Sequence, residues 1–253
     1  MRRYRCIARS CPAERDLSRK GVDVSGTVRI AAPDGFATFF LCSSLAKLKS
    51  QLPSLNIQLV PMSRSFSLSR READIAVTIE RPSKGRVSFR RLVDYSLHFY
   101  AARAYLKDRG RPSSVPDLAQ HHLVTYVQDL LFADQLNFVP ELFGPNHVRF
   151  ECSTAIGQIA AVRAGAGIGI LHDYAVFGET DIELVLPKQS FERSYWLVTH
   201  DDLVGLNRVQ VVSDFIGSEI SRRQAIFRAQ AHATVPSEDA GVLDYRMGAV
   251  AVL

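Results

Sequence analysis

The chain has little that would anchor, export or cross-link it. No apolar run approaches the roughly 20 residues a membrane helix needs, and the opening MRRYRCIARSCPAERD lacks the apolar stretch of a secretion signal. These absences place the protein in the cytoplasm, with no membrane partner. Cysteine is scarce, four in 253 residues at Cys6, Cys11, Cys42 and Cys152, and no C-x-x-C pair occurs. Neither a disulfide framework nor a zinc site is expected, and the thiols read as reduced.

The motifs of catalysis are missing too. There is no G-x-S-x-G, no H-E-x-x-H and no Walker loop, and Ser44-Leu45-Ala46-Lys47 matches S-x-x-K without its S-D-N and K-T-G companions. The seven histidines, at 98, 121, 122, 147, 172, 200 and 232, are scattered. Asp173, Asp201 and Asp202 read as solvated acids near strand ends, because aspartate is rarely buried unpaired. No catalytic residue, cofactor or metal is expected, which argues against an enzyme.

Positive charge is present but misplaced for a nucleic-acid surface. Residues 1–25 hold seven basic and three acidic side chains, so +4 of the formal +5 lies there and the remaining 228 residues carry +1. The folded body is close to neutral, and its charge does not mark a DNA-binding face.

What the chain does have is a 47% hydrophobic composition, enough for one large core or two of modest size. From Gly26 onward short β-branched runs alternate with helical spacing. VRIAA (28–32) reads as a strand, and Leu41, Leu45, Leu48 and Leu52 fall on one helix face that Pro53 ends. NIQLVPM (56–62) and DIAVTI (74–79) follow as strands, with LSRREA between them as a helical turn. A second set comprises SLHFYAA (96–102), HLVTYV (122–127), VRFEC (148–152), the helix STAIGQIAAVRAG, and the strands GIGIL, IELVLP and SYWLVTH. A last amphipathic helix places Val209, Val212, Phe215 and Ile216 on one face. Two small α/β lobes are the economical description.

Gly165, Gly167 and Gly169 in RAGAGIGIL are not a phosphate cradle, since a dinucleotide fingerprint needs a strand before the glycines and a helix after. Here the order is reversed. Gly165 reads as a helix stop, and Gly167 and Gly169 as positions where a strand passes close to another backbone. The polar residues that remain cluster at carboxyl ends of the strands, where open parallel sheets bind ligands. Asp34 and Gly35 follow the first strand, Ser63, Arg64 and Ser65 the second, and Thr78 ends the third. Ser153 and Thr154 stand at a helix start, where a Thr or Ser cap leaves amide donors free for an anion. His172 follows GIGIL, and Thr199 lies at the end of SYWLVTH.

GTVRIAAPDGFATFFLCSSLAKLKSQLPSLNIQLV, the stretch from READIAVTIE to QHHLV, and STAIGQIAAVRAGAGIGILHDYAV together resemble the effector-binding domain of LysR-type transcriptional regulators, over roughly Ser25 to Gln224. The resemblance implies an α/β fold of two Rossmann-like lobes with a central cleft, similar to type II periplasmic binding proteins. It implies a first lobe of 26–101 plus 203–224 and a second of 102–202, crossing near Ala101-Ala102 and Thr199–Asp202. A basic segment, 1–25, and a weakly ordered tail, 225–253, flank them. It further implies effector contacts at Asp34, Gly35, Ser63, Arg64, Ser65, Ser153, Thr154 and His172. The family commonly has Leu-Pro where this chain has Leu171-His172.

The expected partners are a small-molecule effector of the organic-anion class, given Arg64 and the free helix terminus, and further copies in a homodimer or tetramer. The resemblance implies antiparallel pairing of the helix at 38–51 with the one at 155–164 of a second copy, which makes Phe39, Leu41, Ile159 and Val162 candidates for core or interface. DNA would be reached only through a winged helix-turn-helix, for which 25 residues before Gly26 leave no room. The alternative is a free-standing cytoplasmic small-molecule-binding module of the same fold.

Overall fold

The structure is a computed structural model that describes residues 24–62, 72–83, 85–131, 133–138 and 148–228. Its eight strands are β1 (Gly26–Pro33), β2 (Leu55–Met62), β3 (Ile75–Thr78), β4 (Val87–Ala102), β5 (Leu123–Tyr126), β6 (Arg149–Cys152), β7 (Ile168–His172) and β8 (Ile182–His200). They form one sheet in the order β2-β1-β3-β8-β4-β7-β5-β6. Each end is a parallel trio, β2-β1-β3 and β7-β5-β6, and the two trios are joined by the antiparallel pair β8-β4. Parallel neighbours require helical crossovers, which explains the alternation of strands and helices in the sequence.

Two expected strands, IELVLP and SYWLVTH, are one strand of 19 residues in β8, and SLHFYAA is the second half of a β4 that begins at Val87. The polar stretch between the two apolar runs of β8 carries no hydrophobic period, yet its backbone groups pair with β4 from Leu97↔Phe191 to Tyr95↔Arg193. β3 flanks β8 at Trp196 to Thr199, whereas β7 flanks β4 at Leu97 to Tyr100. The change of outer partner therefore falls in the middle of both long strands, beside a register shift between Arg91 and Val93.

The helices follow their apolar spacing. α1 (Asp34–Phe36) runs through a π-helical turn, Ala37–Leu41, into α2 (Cys42–Gln51), which buries Leu45 and Leu48. α3 (Arg103–Arg109) follows β4, and α4 (Ala155–Arg163) buries Ile159 and Val162. After α4, Gly165 takes φ +82° and the Ala166 N–H reaches back to the Ala161 carbonyl, a left-handed helix stop. Gly167 sits where a Cβ would lie 2.4 Å from the His122 carbonyl oxygen. At Gly169 a Cβ would instead meet the Val162 side chain at 2.8 Å, so the close approach there is to α4 packing and the backbone reading holds for Gly167.

α5 (Asp173–Val176) follows β7 directly, and α6 (Asn207–Arg222) buries Val209, Val212, Phe215 and Ile216 as its period predicts. A 3-10 turn, Gln224–Arg228, comes next and seats a fully buried Phe227 against Phe36, Phe40 and Tyr174. Four of these residues, 225–228, fall in the expected weakly ordered tail, yet Phe227 among them is fully buried. The LSRREA turn lies mostly outside the described residues. No described helix is long and apolar enough to cross a membrane.

Candidate functional site

In each trio the carboxyl ends of the strands open onto the same crevice. β1 ends at Pro33, and the chain turns at once into α1, so that Asp34 is the first helical residue and 5% exposed. Across the crevice β6 ends at Cys152, and Thr154 caps α4, its Oγ1 accepting from the Gly157 N–H at 3.0 Å. The Ile156 N–H of that first turn donates to Asp34 Oδ2 at 3.1 Å. A carboxylate from one trio thus meets the helix amino terminus of the other. Gly35 allows the approach, since a Cβ there would lie 3.1 Å from that of Ala155. Burial raises the Asp34 pKa above the ordinary carboxyl value, against the opposing pull of backbone N–H groups at Ile156, Gly35 and Ala155.

The wall of the crevice is aromatic. Tyr95 on β4 stacks on Tyr195 of β8 with centroids 4.1 Å apart and on His172 at 5.4 Å, and the Tyr174 and Tyr195 hydroxyls are 2.8 Å apart. Tyr95 is 1% exposed and its hydroxyl has no hydrogen-bond partner of normal geometry. Burial lowers the His172 pKa to about 4, so the imidazole is neutral at neutral pH. Beside Tyr126 a narrow void enters the second trio between Phe99, Leu136, Phe138 and Gln158; its cavity volume is about 20 Å³, room for about one water. Gln158 Nε2 and Thr125 Oγ1 are buried there without protein partners.

Asp173 corrects the sequence reading. It is fully buried rather than solvated, with Ser96 Oγ and Tyr100 Oη donating to its carboxylate and His98 Nδ1 2.9 Å from both oxygens. An aspartate is tolerated there because three polar side chains on alternate residues of β4 converge on it.

Of the expected site residues, Asp34, Gly35 and Thr154 come together directly, with exposed Ser153 at the same helix start and His172 in the aromatic wall. Thr78 ends β3, its Oγ1 donating to the Glu80 carbonyl at 2.7 Å. Thr199 stands opposite Ile75, which is level with Ile30 of β1. Because β8 runs antiparallel to β3, its carboxyl end lies roughly 13 Å back along the sheet from Asp34, four residues at strand rise. Ser63, Arg64 and Ser65 lie outside the described residues. The amides expected to be free at the α4 terminus are engaged by Asp34 and Thr154. Sequence reasoning missed Tyr95, Tyr126, Tyr174 and Tyr195; the Tyr beside His172-Asp173 and the Tyr before Trp196 were legible only as aromatics of unknown facing. Among the described residues no group of three His, Cys, Asp or Glu side chains is placed to hold a metal.

Two parallel trios bridged by long antiparallel strands, with a crevice between their carboxyl ends, define a two-lobed binding domain of the type II periplasmic-binding-protein kind. The model of the LysR substrate binding domain matches residues 22–221, and the chain belongs to that family. It is similar to the regulatory domain of CrgA from Neisseria meningitidis, a LysR-type transcriptional regulator, with a TM-score of 0.69 and 22% identity over 77% of this chain and 98% of that one. Full-length AphB from Vibrio cholerae gives a TM-score of 0.64 and 21% identity over 76% and 68%. In sequence, the transcriptional activator AaeR of Escherichia coli K12 is 28% identical over 202 residues, 74% of this chain and 62% of the relative. An uncharacterized HTH-type transcriptional regulator of Haemophilus influenzae is 23% identical over 162 residues, 62% and 55%. The chain thus spans about three-fifths of the length of these two relatives. All four are regulators, and the expectation of a non-enzyme follows the family.

Proposed function

We propose that this domain binds a small-molecule effector in the crevice between its lobes and, in a full-length regulator, transmits occupancy to DNA-binding units by a shift between lobe arrangements. The observation that carries this reading is the meeting of Asp34 with the Ile156 amide across the crevice. The first lobe would be built on the β2-β1-β3 trio with α2 and α6, and the second on the β7-β5-β6 trio with α4. The partner change along β4 and β8 supports moving the crossing from Ala101-Ala102 and Thr199–Asp202 to the middle of both strands.

The effector contacts we propose are Asp34, Gly35, Ser153, Thr154 and His172, joined by Tyr95 and Tyr126. Thr78 and Thr199 are left out, since one is bonded locally and the other lies at the far end of its strand. The organic-anion class is taken up in the next section. A homodimer or tetramer in the cytoplasm is the proposed setting. Leu41, Ile159 and Val162 belong to the core, leaving half-buried Phe39 and the exposed Val148, Phe150 and Ile156 for a partner surface.

The test is a melting-temperature screen of small organic molecules against the purified chain, with Tyr95→Phe as the comparison. A true crevice ligand at a hundred times its Kd adds about 2.7 kcal/mol of stability and loses affinity in the variant. Stabilising ligands that are indifferent to Tyr95→Phe, Thr154→Ala and His172→Phe would place binding elsewhere.

A further inference from the structure

We propose that Asp34 is a resident carboxylate that stands where an effector's own would dock, latching the two lobes and making this domain select neutral effectors over carboxylates. The proposal relies on the crevice reading for where an effector sits; the latch itself does not. The amino terminus of a helix as long as α4, nine residues, attracts negative charge through its unsatisfied N–H groups. Here the Ile156 N–H donates to Asp34 Oδ2 at 3.1 Å and the Gly157 N–H to Thr154 Oγ1 at 3.0 Å, so the first turn is already served from within the chain.

The surroundings are built for a neutral guest. Asp34 is 5% exposed, and its charge is felt at the buried phenols of Tyr126 and Tyr174, whose ionisation it pushes further up. Burial keeps His172 neutral at neutral pH, and Tyr95, 1% exposed, has no hydrogen-bond partner of normal geometry for its hydroxyl. Asp34 is the one carboxyl among these groups, and when it is ionised a second carboxylate beside it would face like-charge repulsion in a desolvated site. A hydroxyl, amide or carbonyl can bond to the phenols without that opposition.

The experiment needs no natural effector. Wild type, Asp34→Ala and Asp34→Asn are titrated with sodium acetate, with sodium chloride at matched ionic strength and with acetamide as the neutral isostere. Melting temperature and exchange of the Ile156 amide are read for each. In Asp34→Ala that amide should exchange about tenfold faster, as expected for a lost buried hydrogen bond, and acetate alone should restore its protection and raise the melting temperature. Wild type should respond to acetate no more than to chloride. Asp34→Asn, whose amide oxygen still accepts from Ile156, should stay protected and unresponsive. If Asp34→Ala does not fold, Asp34→Ser takes its place. Unchanged exchange in the truncated variant, failure of acetate to restore it, or an acetate response in wild type equal to the variant's would each overturn the proposal. A metabolite screen without hits would count against the crevice reading and leave this result standing.

Discussion

Asp34 and Asp173 occupy matching places in the two halves of the molecule. Each is the first residue of a short helix that starts directly after a parallel strand, β1 in one trio and β7 in the other, and each is buried. Their partners differ in kind and in origin. Asp173 is held by the side chains of Ser96, His98 and Tyr100, all on β4, which pairs with β7 through Leu97↔His172. Asp34 is held by a backbone amide from the opposite trio. The first carboxylate ties a strand and a helix within one half and adds rigidity there; the second ties the two halves and is lost whenever they part. A buried acid with several side-chain donors behaves as structure, whereas one whose principal donor lies across a crevice can report on whether the crevice is open.

The most severe way to test that contrast is Asp173→Ala. It takes an acceptor from three buried polar side chains, Ser96, His98 and Tyr100, and losing the partner of a buried polar group costs about 1–3 kcal/mol. Urea unfolding should show a loss of that order; a loss below about 1 kcal/mol would mean that Asp173 is not the structural member of the pair. Next in size is the pH dependence from His172, whose pKa falls from the ordinary 6.5 to about 4 on burial. A lowered native pKa means that the unfolded chain binds the proton more readily. Stability is then fully present above about 6.5 and declines as pH falls toward 4, by roughly 3 kcal/mol at most. His172→Phe should flatten this slope in melting curves recorded between pH 4 and 7, and an unchanged slope would assign it to another group.

Much of the crevice follows from local chemistry that one sequence displays. Pro33 ends β1 and delivers Asp34-Gly35 to a helix start, Thr154 caps α4, and Gly165 ends it with a positive φ. Other parts depend on which strands become neighbours. Asp173 reads as an ordinary acid at a strand end until β4 places Ser96, His98 and Tyr100 beside it, an alternation of polar residues that resembles a solvated face. Thr199 reads as a carboxyl-end residue until the antiparallel direction of β8 carries it away from the crevice. The polar run that joins the two halves of β8 is ordered by its ladder with β4, and no hydrophobic period announces it. The tyrosines of the wall are plain in the sequence, but their convergence is a property of the bridge between trios.

Removing the cap of α4 probes the crevice side of the comparison more gently. Thr154→Ala deletes the acceptor for the Gly157 amide and should cost about 1 kcal/mol. The Ile156 amide, bonded to Asp34, should keep most of its protection, and equal loss at both amides would show that the cap, not the carboxylate, orders this turn.

The smallest expected effect concerns the sign of the Asp34 contribution. Its pKa is raised chiefly by burial, so the native state holds the proton more tightly than the unfolded chain. Any stability linked to that proton is present below the ordinary carboxyl pKa of 3.8 and is lost as pH rises through the raised native value. Asp34→Asn keeps an acceptor for Ile156 and has no proton to lose, so it should gain on wild type as pH rises from below 4 to 7. The difference should stay below about 1 kcal/mol, the scale of one net hydrogen bond. His172 drives stability in the opposite direction over part of this range, so the measurement compares the two proteins at each pH instead of following either alone. If the gap between them widened against the asparagine variant with rising pH, the ionised carboxylate would be the stabilising form, and the N–H groups of the α4 terminus would outweigh burial at Asp34.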